Sequence, residues 1–308
     1  MTQRIFHDIP YTNLIQRVLQ HGTWIPSRNS RVLSSFGEHV SFDLKDYTLP
    51  LLTTKRVPVK TVTRELAWFL RGQTDARILQ DQNVHIWDGN ATDEFQASRQ
   101  ISRPAHDLGP IYGYQWNSWN KPYTSCEESN NINCDENNMS HINQINDNVQ
   151  SIMNDPFSRR HIFTAWNPQQ IPEMTLPPCH ILGQWNVRPC SASAKYNRLD
   201  LQIYQRSADL GLGLPFNMAS YGLFLMMMCQ LTRTLPGVLS FALGNCHIYE
   251  NHIEALSKQI KRFPYPAPFF QWNHQKGETL SSHTQFDETW FSIVDYDHHP
   301  TVAMDMIA

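Results

Sequence analysis

The stretch LDLQIYQRSADLGLGLPFNMASYGLFLMMMCQLT, residues 199–232, decides the fold class. Its first part alternates apolar and polar residues as a β-strand does, and Gly211, Gly213 and Pro215 interrupt it. The stretch resumes as a long and almost wholly apolar helix, which must be buried in a globular protein. It therefore predicts a strand and a core helix joined by a short turn.

Around this stretch, helical and strand-like segments follow one another without regular alternation. They are a helix in YTNLIQRVLQHG (11–22), a strand in RVLSSFGEHVSFDL (31–44), a helix in TVTRELAWFLRG (61–72) and a strand leading to a helix in NCHIYENHIEALSKQI (245–260). We find no internal repeat, and we predict a single α+β domain over residues 1–308. A polar, asparagine-rich insert at about residues 124–148 is predicted to be a surface loop.

The composition is that of an ordinary globular protein. Of the 308 residues, 41% are hydrophobic and 17% are charged, and the formal net charge is −3. This charge does not favour nucleic acid as a partner. The best membrane candidate, YGLFLMMMCQL from Tyr221, is shorter than a membrane span, and the N-terminus lacks the apolar centre of a signal peptide. We therefore expect a cytoplasmic protein that does not bind membranes.

The cysteines and histidines lack the spacing of a metal site, so we expect no metal. The six cysteines include no CxxC pair, and His85, His106 and the pair His298-His299 are not spaced as ligands. Cys179 has an unusual setting, because in LPPCHILGQW (176–185) it follows two prolines and precedes a histidine. Both a nucleophile and an inert core cysteine fit this stretch.

Several polar residues are candidates for binding a ligand, and each has a structural alternative. Arg206 beside Ser207 suits a phosphate, although a surface salt bridge is the commoner role of an arginine. The amide of Asn217 donates and accepts as the edge of a uracil ring requires, or it caps the following helix. Glu65, His247 and Tyr249 are embedded in apolar sequence, where burial demands partners and shifts the pKa of a carboxyl group.

Taken in order, short motifs along the chain resemble the thymidylate synthase family. The likeness runs from about residue 11 to the end. The motifs are LLTTKR (51–56), ELAWFLRG (65–72), IWDGN (86–90), LGPIYGYQW (108–116), SRR with AWNP (158–168), LPPCH (176–180), QRSADLGLGLPFNMASY (205–221), GNCHIYENHIE (244–254) and YDHHP (296–300).

The resemblance implies a fold and a reaction. The fold is a mixed sheet flanked by helices, with one face of the sheet forming a homodimer interface. The reaction is the reductive methylation of dUMP to dTMP, with 5,10-methylenetetrahydrofolate donating both the carbon and the hydride. Cys179 would be the nucleophile that adds to C6 of the uracil, helped by Arg206, which favours the thiolate. The catalytic set that the resemblance implies is Cys179, Glu65, Tyr112, His180, Asn217 and Arg206.

The resemblance also implies two binding sets. The dUMP set is Arg28, Arg159, Arg160, Gln205, Arg206, Ser207, Asn217, His247 and Tyr249, in which Arg159 and Arg160 come from the second subunit. The folate set is Ile86, Trp87, Asn90, Asp209, Leu212, Gly213, Phe216, Met306 and Ala308. The C-terminal residues would close over the folate and exclude water.

The chain departs from the family pattern at a few positions. Asn245 replaces an aspartate, Pro58 replaces a larger side chain beside the folate, the loop after Arg28 is altered, and the connection at 188–200 is longer. Two other functions fit the same motifs. One is a nucleotide 5-hydroxymethylase of the same superfamily, against which Asn217 favours uracil and Trp87 favours the reductive ending. The other is a catalytically silent binding paralogue, which would lose the nucleophile or the phosphate arginines that this sequence retains.

Overall fold

The computed structural model describes residues 4–27, 30–130, 141–190, 195–273 and 279–306. Among these residues the helices are α1 (Asp8–His21), α2 (Val59–Leu70), α3 (Ala76–Gln80), α4 (Asp93–Ser98), α5 (Tyr112–Asn117), α6 (Cys126–Asn130), α7 (Gln144–Asn154), α8 (Gly213–Thr232) and α9 (Ile253–Gln259). The strands are β1 (Thr23–Pro26), β2 (Arg31–Asp43), β3 (Ile162–Thr164), β4 (His180–Pro189), β5 (Asn197–Asp209), β6 (Leu235–Tyr249), β7 (Phe269–Trp272) and β8 (Phe291–Val294). The elements predicted from residues 11–22, 31–44, 61–72 and 199–232 are confirmed.

A mixed six-stranded sheet organises the domain, as predicted. Its strand order is β1-β2-β6-β5-β4-β3. The neighbours β5 and β6 are parallel, and the other neighbouring pairs are antiparallel. Because parallel strands need a crossover connection, α8 runs between β5 and β6 and packs on both. The remaining strands, β7 and β8, form a separate antiparallel pair.

Helix α8 lies in the core. Its residues Met226, Met227 and Met228 are fully buried. By length and composition alone this helix could cross a membrane, which differs from the sequence prediction, but 78% of its most apolar window is buried inside the protein. Burial of this kind is typical of the core helix of a globular domain, and it explains why the helix is apolar on all sides.

An aromatic cluster joins α8 to the sheet and to α5. The ring of Phe224 stacks on Trp116 with centroids 5.7 Å apart and meets the edges of Phe163 and Trp185 at 5.6 and 5.2 Å. Aromatic pairs at these separations stabilise a core beyond the area that they bury. The cluster packs α5 and the middle of α8 against β3 and β4, and the candidate site lies where β4 begins.

The polar insert is more ordered at its flanks than predicted. Cys126 and Ser129 in α6 are buried, and Ser129 Oγ lies 2.7 Å from Thr74 Oγ1. The loop prediction is therefore wrong for Cys126–Asn130, because these residues find partners in a distant segment. Helix α7 also begins within the predicted loop, at Gln144. Residues 131–140 of the insert lie outside the described residues.

Candidate active site

A cavity of about 380 Å³ opens where β4 begins and β5 leads into α8. Its volume is in the range of small-molecule sites. Residues from distant parts of the chain meet there, including most of those singled out in the sequence. The singled-out residues that line it are Glu65, Ile86, Trp87, Asn90, Tyr112, Cys179, His180, Gln205, Arg206, Ser207, Asp209, Leu212, Gly213, Phe216, Asn217, His247, Tyr249 and Met306.

Cys179 is held in this cavity by its backbone. Its N–H donates to the hydroxyl of Tyr112 at 2.7 Å, and its carbonyl accepts from the N–H of Arg206 at 2.8 Å. The Arg206 guanidinium donates to the carbonyls of Pro177 and Pro178 at 2.9 and 2.8 Å. The two prolines therefore present carbonyl groups to Arg206, which orders the segment that carries the thiol and brings a cation to the same cavity.

The other described cysteines have different surroundings. Cys126, Cys229 and Cys246 are buried, and burial raises the pKa of each thiol to about 12. Cys190 is exposed at the end of β4, away from the cavity lining. Of the cysteines in the described ranges, Cys179 is thus the one that a ligand in the cavity would meet.

Glu65 projects from α2 into the apolar side of the cavity. Its side chain is 8% exposed, and the indole N–H of Trp87 donates to its carboxyl oxygen Oε1 at 2.8 Å. Burial raises the pKa of Glu65 from 4.5 to about 7, and the Trp87 hydrogen bond opposes part of that rise. A carboxyl group in this state can both give and take a proton near neutral pH.

Tyr112 and His180 form a stacked pair beside Glu65. Their ring centroids lie 4.3 Å apart, and Nδ1 of His180 lies 2.6 Å from the hydroxyl of Tyr221. Burial lowers the pKa of His180 to about 3, and burial raises the pKa of Tyr112 well above its usual value of 10. Both side chains are therefore neutral at pH 7.

Tyr221 had no predicted role, although it follows Asn217 by four residues. In a helix this spacing puts two side chains on the same face, so the signal was present. Lys55 was also missed. It is buried, and its ammonium donates to the carbonyl of Gly211 at 2.5 Å. Burial lowers the pKa of Lys55 to about 8, and the nearby Asp209 opposes this shift.

Asp209 stabilises the turn that leads into α8. Its carboxylate accepts from the backbone N–H groups of Gly211, Leu212 and Gly213 at 2.8, 3.0 and 3.2 Å. Gly211 and Leu212 precede α8 and Gly213 is its first residue, so Asp209 holds the turn directly before the helix. Asn217 is not the cap of α8, because it lies within the helix, and it lines the cavity.

His247, Asn245 and Tyr249 lie on β6 at the far side of the cavity. The side-chain oxygen of Asn245 lies 3.0 Å from Nδ1 of His247, and its Nδ2 donates to Ser34 Oγ at 3.0 Å. With the amide in this orientation, His247 carries its proton on Nδ1, and Nε2 is left to accept a hydrogen bond. Burial lowers the pKa of His247, so the ring is neutral near pH 7.

The C-terminal segment reaches the rim of the cavity. Nε2 of His252 lies 2.8 Å from the carbonyl of Asp305, and a Cβ on Gly211 would lie 3.2 Å from the sulfur of Met304. Met306 lines the cavity and is 59% exposed. These contacts place the tail beside the turn that follows Asp209.

Two of the predicted site residues that the structure describes do not line the cavity. Arg159 and Arg160 are exposed between α7 and β3, outside the lining of this chain's own cavity. Arg28 and Ala308 lie outside the described residues. The roles expected for these four residues stay predictions.

Comparisons with known proteins agree with the geometry. The thymidylate synthase family model matches residues 9–308. The chain is 40% identical over 299 residues to the thymidylate synthase of Agaricus bisporus, covering 96% of this chain and 97% of that protein. It is 38% identical over 299 residues to thymidylate synthase 1/2 of Encephalitozoon cuniculi, covering 97% and 96%. It is also 40% identical over 298 residues to a bifunctional dihydrofolate reductase-thymidylate synthase of Leishmania amazonensis. This match covers 96% of this chain but 54% of that relative, so the chain spans about half the length of such bifunctional relatives.

Proposed function

The chain belongs to the thymidylate synthase family, and we propose that it is a methyltransferase that converts dUMP to dTMP with 5,10-methylenetetrahydrofolate. The observation that carries this proposal is the meeting of Cys179, Glu65 and Asn217 in one cavity. These residues supply a nucleophile, a proton-transfer group and an amide that matches the edge of a uracil ring.

The charged and polar side of the cavity suits a nucleotide. Arg206 and Ser207 would bind the phosphate by charge-assisted hydrogen bonds, together with Arg28 from the same chain. Gln205 lies beside them, and Asn217 would bind the uracil edge. His247 and Tyr249 would hold the sugar hydroxyl, with Nε2 of His247 as the acceptor.

The opposite side of the cavity fits a reduced folate. Ile86, Trp87, Leu212 and Phe216 give an apolar wall on which an aromatic ring can stack. Asp209 keeps acceptor capacity beyond its three backbone donors and would bind the N–H groups of a pterin, with Asn90 and Gly213 nearby. The co-substrate, when bound, supplies the one-carbon unit and the hydride. Met306 and Ala308 would cover it and exclude water.

Cys179 would begin the reaction on the nucleotide. Its thiolate adds to C6 of the uracil, and the electron pair of the C5–C6 double bond moves towards O4, which makes C5 nucleophilic. The Arg206 cation in the same cavity favours the thiolate, and it also positions Cys179 through the carbonyls of Pro177 and Pro178.

The neutral groups around Glu65 would manage the protons. With a pKa of about 7, Glu65 can donate a proton towards O4 and later accept one removed from C5. Tyr112 accepts the N–H of Cys179 and keeps its own proton for donation. His180, held neutral by burial, fixes Tyr112 by ring stacking and adds no charge beside the developing enolate.

We also propose a homodimer that is assembled through the exposed face of the main sheet. Ile162, Leu182 and Tyr204 are on one face by strand register and are 42%, 37% and 39% exposed. Such an apolar patch is typical of an interface. In this arrangement Arg159 and Arg160 would reach the phosphate site of the partner subunit. The soluble substrates are consistent with a cytoplasmic location.

Turnover with product analysis tests the proposed activity. Purified protein is mixed with dUMP and methylenetetrahydrofolate, dihydrofolate is followed by absorbance, and the nucleotide product is weighed by mass spectrometry. We expect a methyl gain with an equal amount of dihydrofolate, abolished in Cys179→Ala and retained in the matched control Cys190→Ala. A hydroxymethyl product without dihydrofolate would instead establish the hydroxymethylase, and dUMP binding without turnover would establish a silent paralogue.

A further inference from the structure

Three potential metal ligands meet beside the start of α3, outside the cavity lining. An oxygen of Asp75, a ring nitrogen of His106 and the sulfur of Cys126 all lie within 4.8 Å of one another. Glu127 follows Cys126, and its carboxylate lies 3.7 Å from Nε2 of His106. The four residues come from three segments, so their spacing in the sequence gives no motif and the sequence analysis predicted no metal.

Backbone hydrogen bonds hold these three segments together. The N–H of Ala76 donates to the carbonyl of His106 at 2.9 Å, and Asp75 pairs with Asp107 as an isolated β-bridge. The carboxylate of Asp107 accepts from the N–H of Cys126 at 3.1 Å. Hydrogen bonds to backbone groups thus fix each of the three segments that contribute a ligand. Such preorganisation lowers the free-energy cost of gathering ligands around an ion.

An unpartnered nitrogen and the charge of the cluster suit a cation. Nε2 of His106 is enclosed and has no hydrogen-bond partner among the described residues. The carboxylates of Asp75, Asp107 and Glu127 outnumber the guanidinium groups of Arg77 and Arg103, which contact them. A buried nitrogen without a partner is costly, and a metal ion would satisfy it.

We propose that Asp75, His106, Cys126 and Glu127 form a structural site for a zinc-type divalent cation. Thiolate, imidazole and carboxylate together are the ligand set that Zn²⁺ prefers. Ligand atoms around tetrahedral zinc lie about 3–4 Å apart, so side-chain rotations alone bring the donors into range. On binding, the thiol of Cys126 gives its proton to solvent and becomes the ligating thiolate. The ion would fasten α6, the first helix of the polar insert, to the loops before α3 and α5.

Metal titration of the full chain tests this site. Protein freed of metal with a chelator is titrated with Zn²⁺ in competition with a chromophoric chelator, and separately with Co²⁺. We expect one tight equivalent of Zn²⁺, a thiolate-to-cobalt charge-transfer band in the near ultraviolet, and a higher melting temperature with metal. Cys126→Ser should abolish the cobalt band, and both Cys126→Ser and His106→Gln should weaken Zn²⁺ binding by at least about tenfold.

Two matched cysteine variants control for other thiols. Cys190→Ser and Cys179→Ser should keep the cobalt band and the zinc affinity. The proposal is overturned if the chain binds no Zn²⁺, or if neither Cys126→Ser nor His106→Gln changes the affinity. If Cys126→Ser fails to fold, as circular dichroism would reveal, the zinc affinity of His106→Gln alone tests the proposal, because His106 is only half-buried. None of the four ligands lines the cavity, so this result is independent of the proposed enzymatic function.

Discussion

Glu65 and Asp209 are carboxyl groups that line the same cavity, yet their surroundings differ. Asp209 accepts three backbone N–H groups at the start of α8, whereas Glu65 is buried in an apolar wall and accepts one indole N–H. Backbone donors at a helix N-terminus stabilise a negative charge, and desolvation disfavours one. The cavity thus has a charged wall, formed by Arg206, Ser207 and Asp209, and a neutral wall, formed by Glu65, Tyr112 and His180. Tyr221 does not line the cavity but contacts His180 of the neutral wall.

The difference shows how one cavity can bind a nucleotide anion and still transfer protons. The charged wall offers fixed partners to groups that stay ionised. On the neutral wall, burial moves the pKa of Glu65 up to about 7 and that of His180 down to about 3, in opposite directions, and each shift favours the uncharged form of its group. Both shifts have desolvation as their largest cause, so the apolar packing of this wall controls its chemistry.

Removing the titrating group from the neutral wall should have the largest effect. We expect Glu65→Gln to lower kcat by about 10²–10⁴-fold, the usual contribution of a positioned proton-transfer group, with little change in dUMP affinity. We expect the steady-state rate of wild type to have an inflection near pH 7, and we expect Glu65→Gln to lose it. An unchanged kcat would mean that the neutral wall does not carry the proton.

Asp209→Asn, on the charged wall, should instead raise KM for the folate more than it lowers kcat.

The same substitution should stabilise the protein on the alkaline side. The pKa of Glu65 is raised from 4.5 to about 7 by folding, so the folded state favours the protonated carboxyl group. The stability that the protonated group gives is complete below pH 4.5 and is lost as the pH rises through about 7. Glutamine has no charge to bury, so the gain in unfolding free energy of Glu65→Gln over wild type should be larger at pH 8 than at pH 4 by on the order of 3 kcal/mol. Urea unfolding at both pH values measures it. An equal difference at the two pH values would contradict the raised pKa, and Glu254→Gln, on the exposed end of α9, is the control.

On the charged wall, the geometry of Arg206 should matter as well as its charge. Arg206→Lys keeps the cation but cannot reach the carbonyls of Pro177 and Pro178 together, so the segment that carries Cys179 loses its support. We expect kcat/KM to fall by about tenfold or more. Alkylation of Cys179 by iodoacetamide, measured in a Cys190→Ala background, should slow in parallel. Alkylation at the wild-type rate would show that the arginine acts on the substrate alone.

Local patterns in the sequence predicted part of the fold and of the cavity. The alternation in residues 199–209 and the apolar run from Leu214 predicted β5 and α8, because strand and helix periodicities are local. The resemblance predicted most of the residues that line the cavity. The opposite pKa shifts of Glu65 and His180 depend on long-range burial, which no local pattern reports. The same is true of α6, which lies in a polar segment; its residues Cys126 and Ser129 are buried where Asp107 and Thr74, from elsewhere in the chain, contact them.

The smallest effect is expected from adding a charge where the chain has lost one. Asn245→Asp would place a carboxylate about 3 Å from Nδ1 of His247, and the attraction between opposite charges should raise the pKa of His247 against the lowering effect of burial. NMR titration of the imidazole measures that rise. Because the aspartate still accepts from Nδ1 and leaves Nε2 facing the cavity, KM for dUMP should change by no more than about threefold to tenfold, the effect of altering one hydrogen bond. Asn245→Ala, which removes the acceptor, should release the ring tautomer and raise KM further. If the pKa of His247 stayed the same in Asn245→Asp, the contact between residues 245 and 247 would not control the protonation of the histidine. The charged wall would then not extend from Asp209 to residue 245.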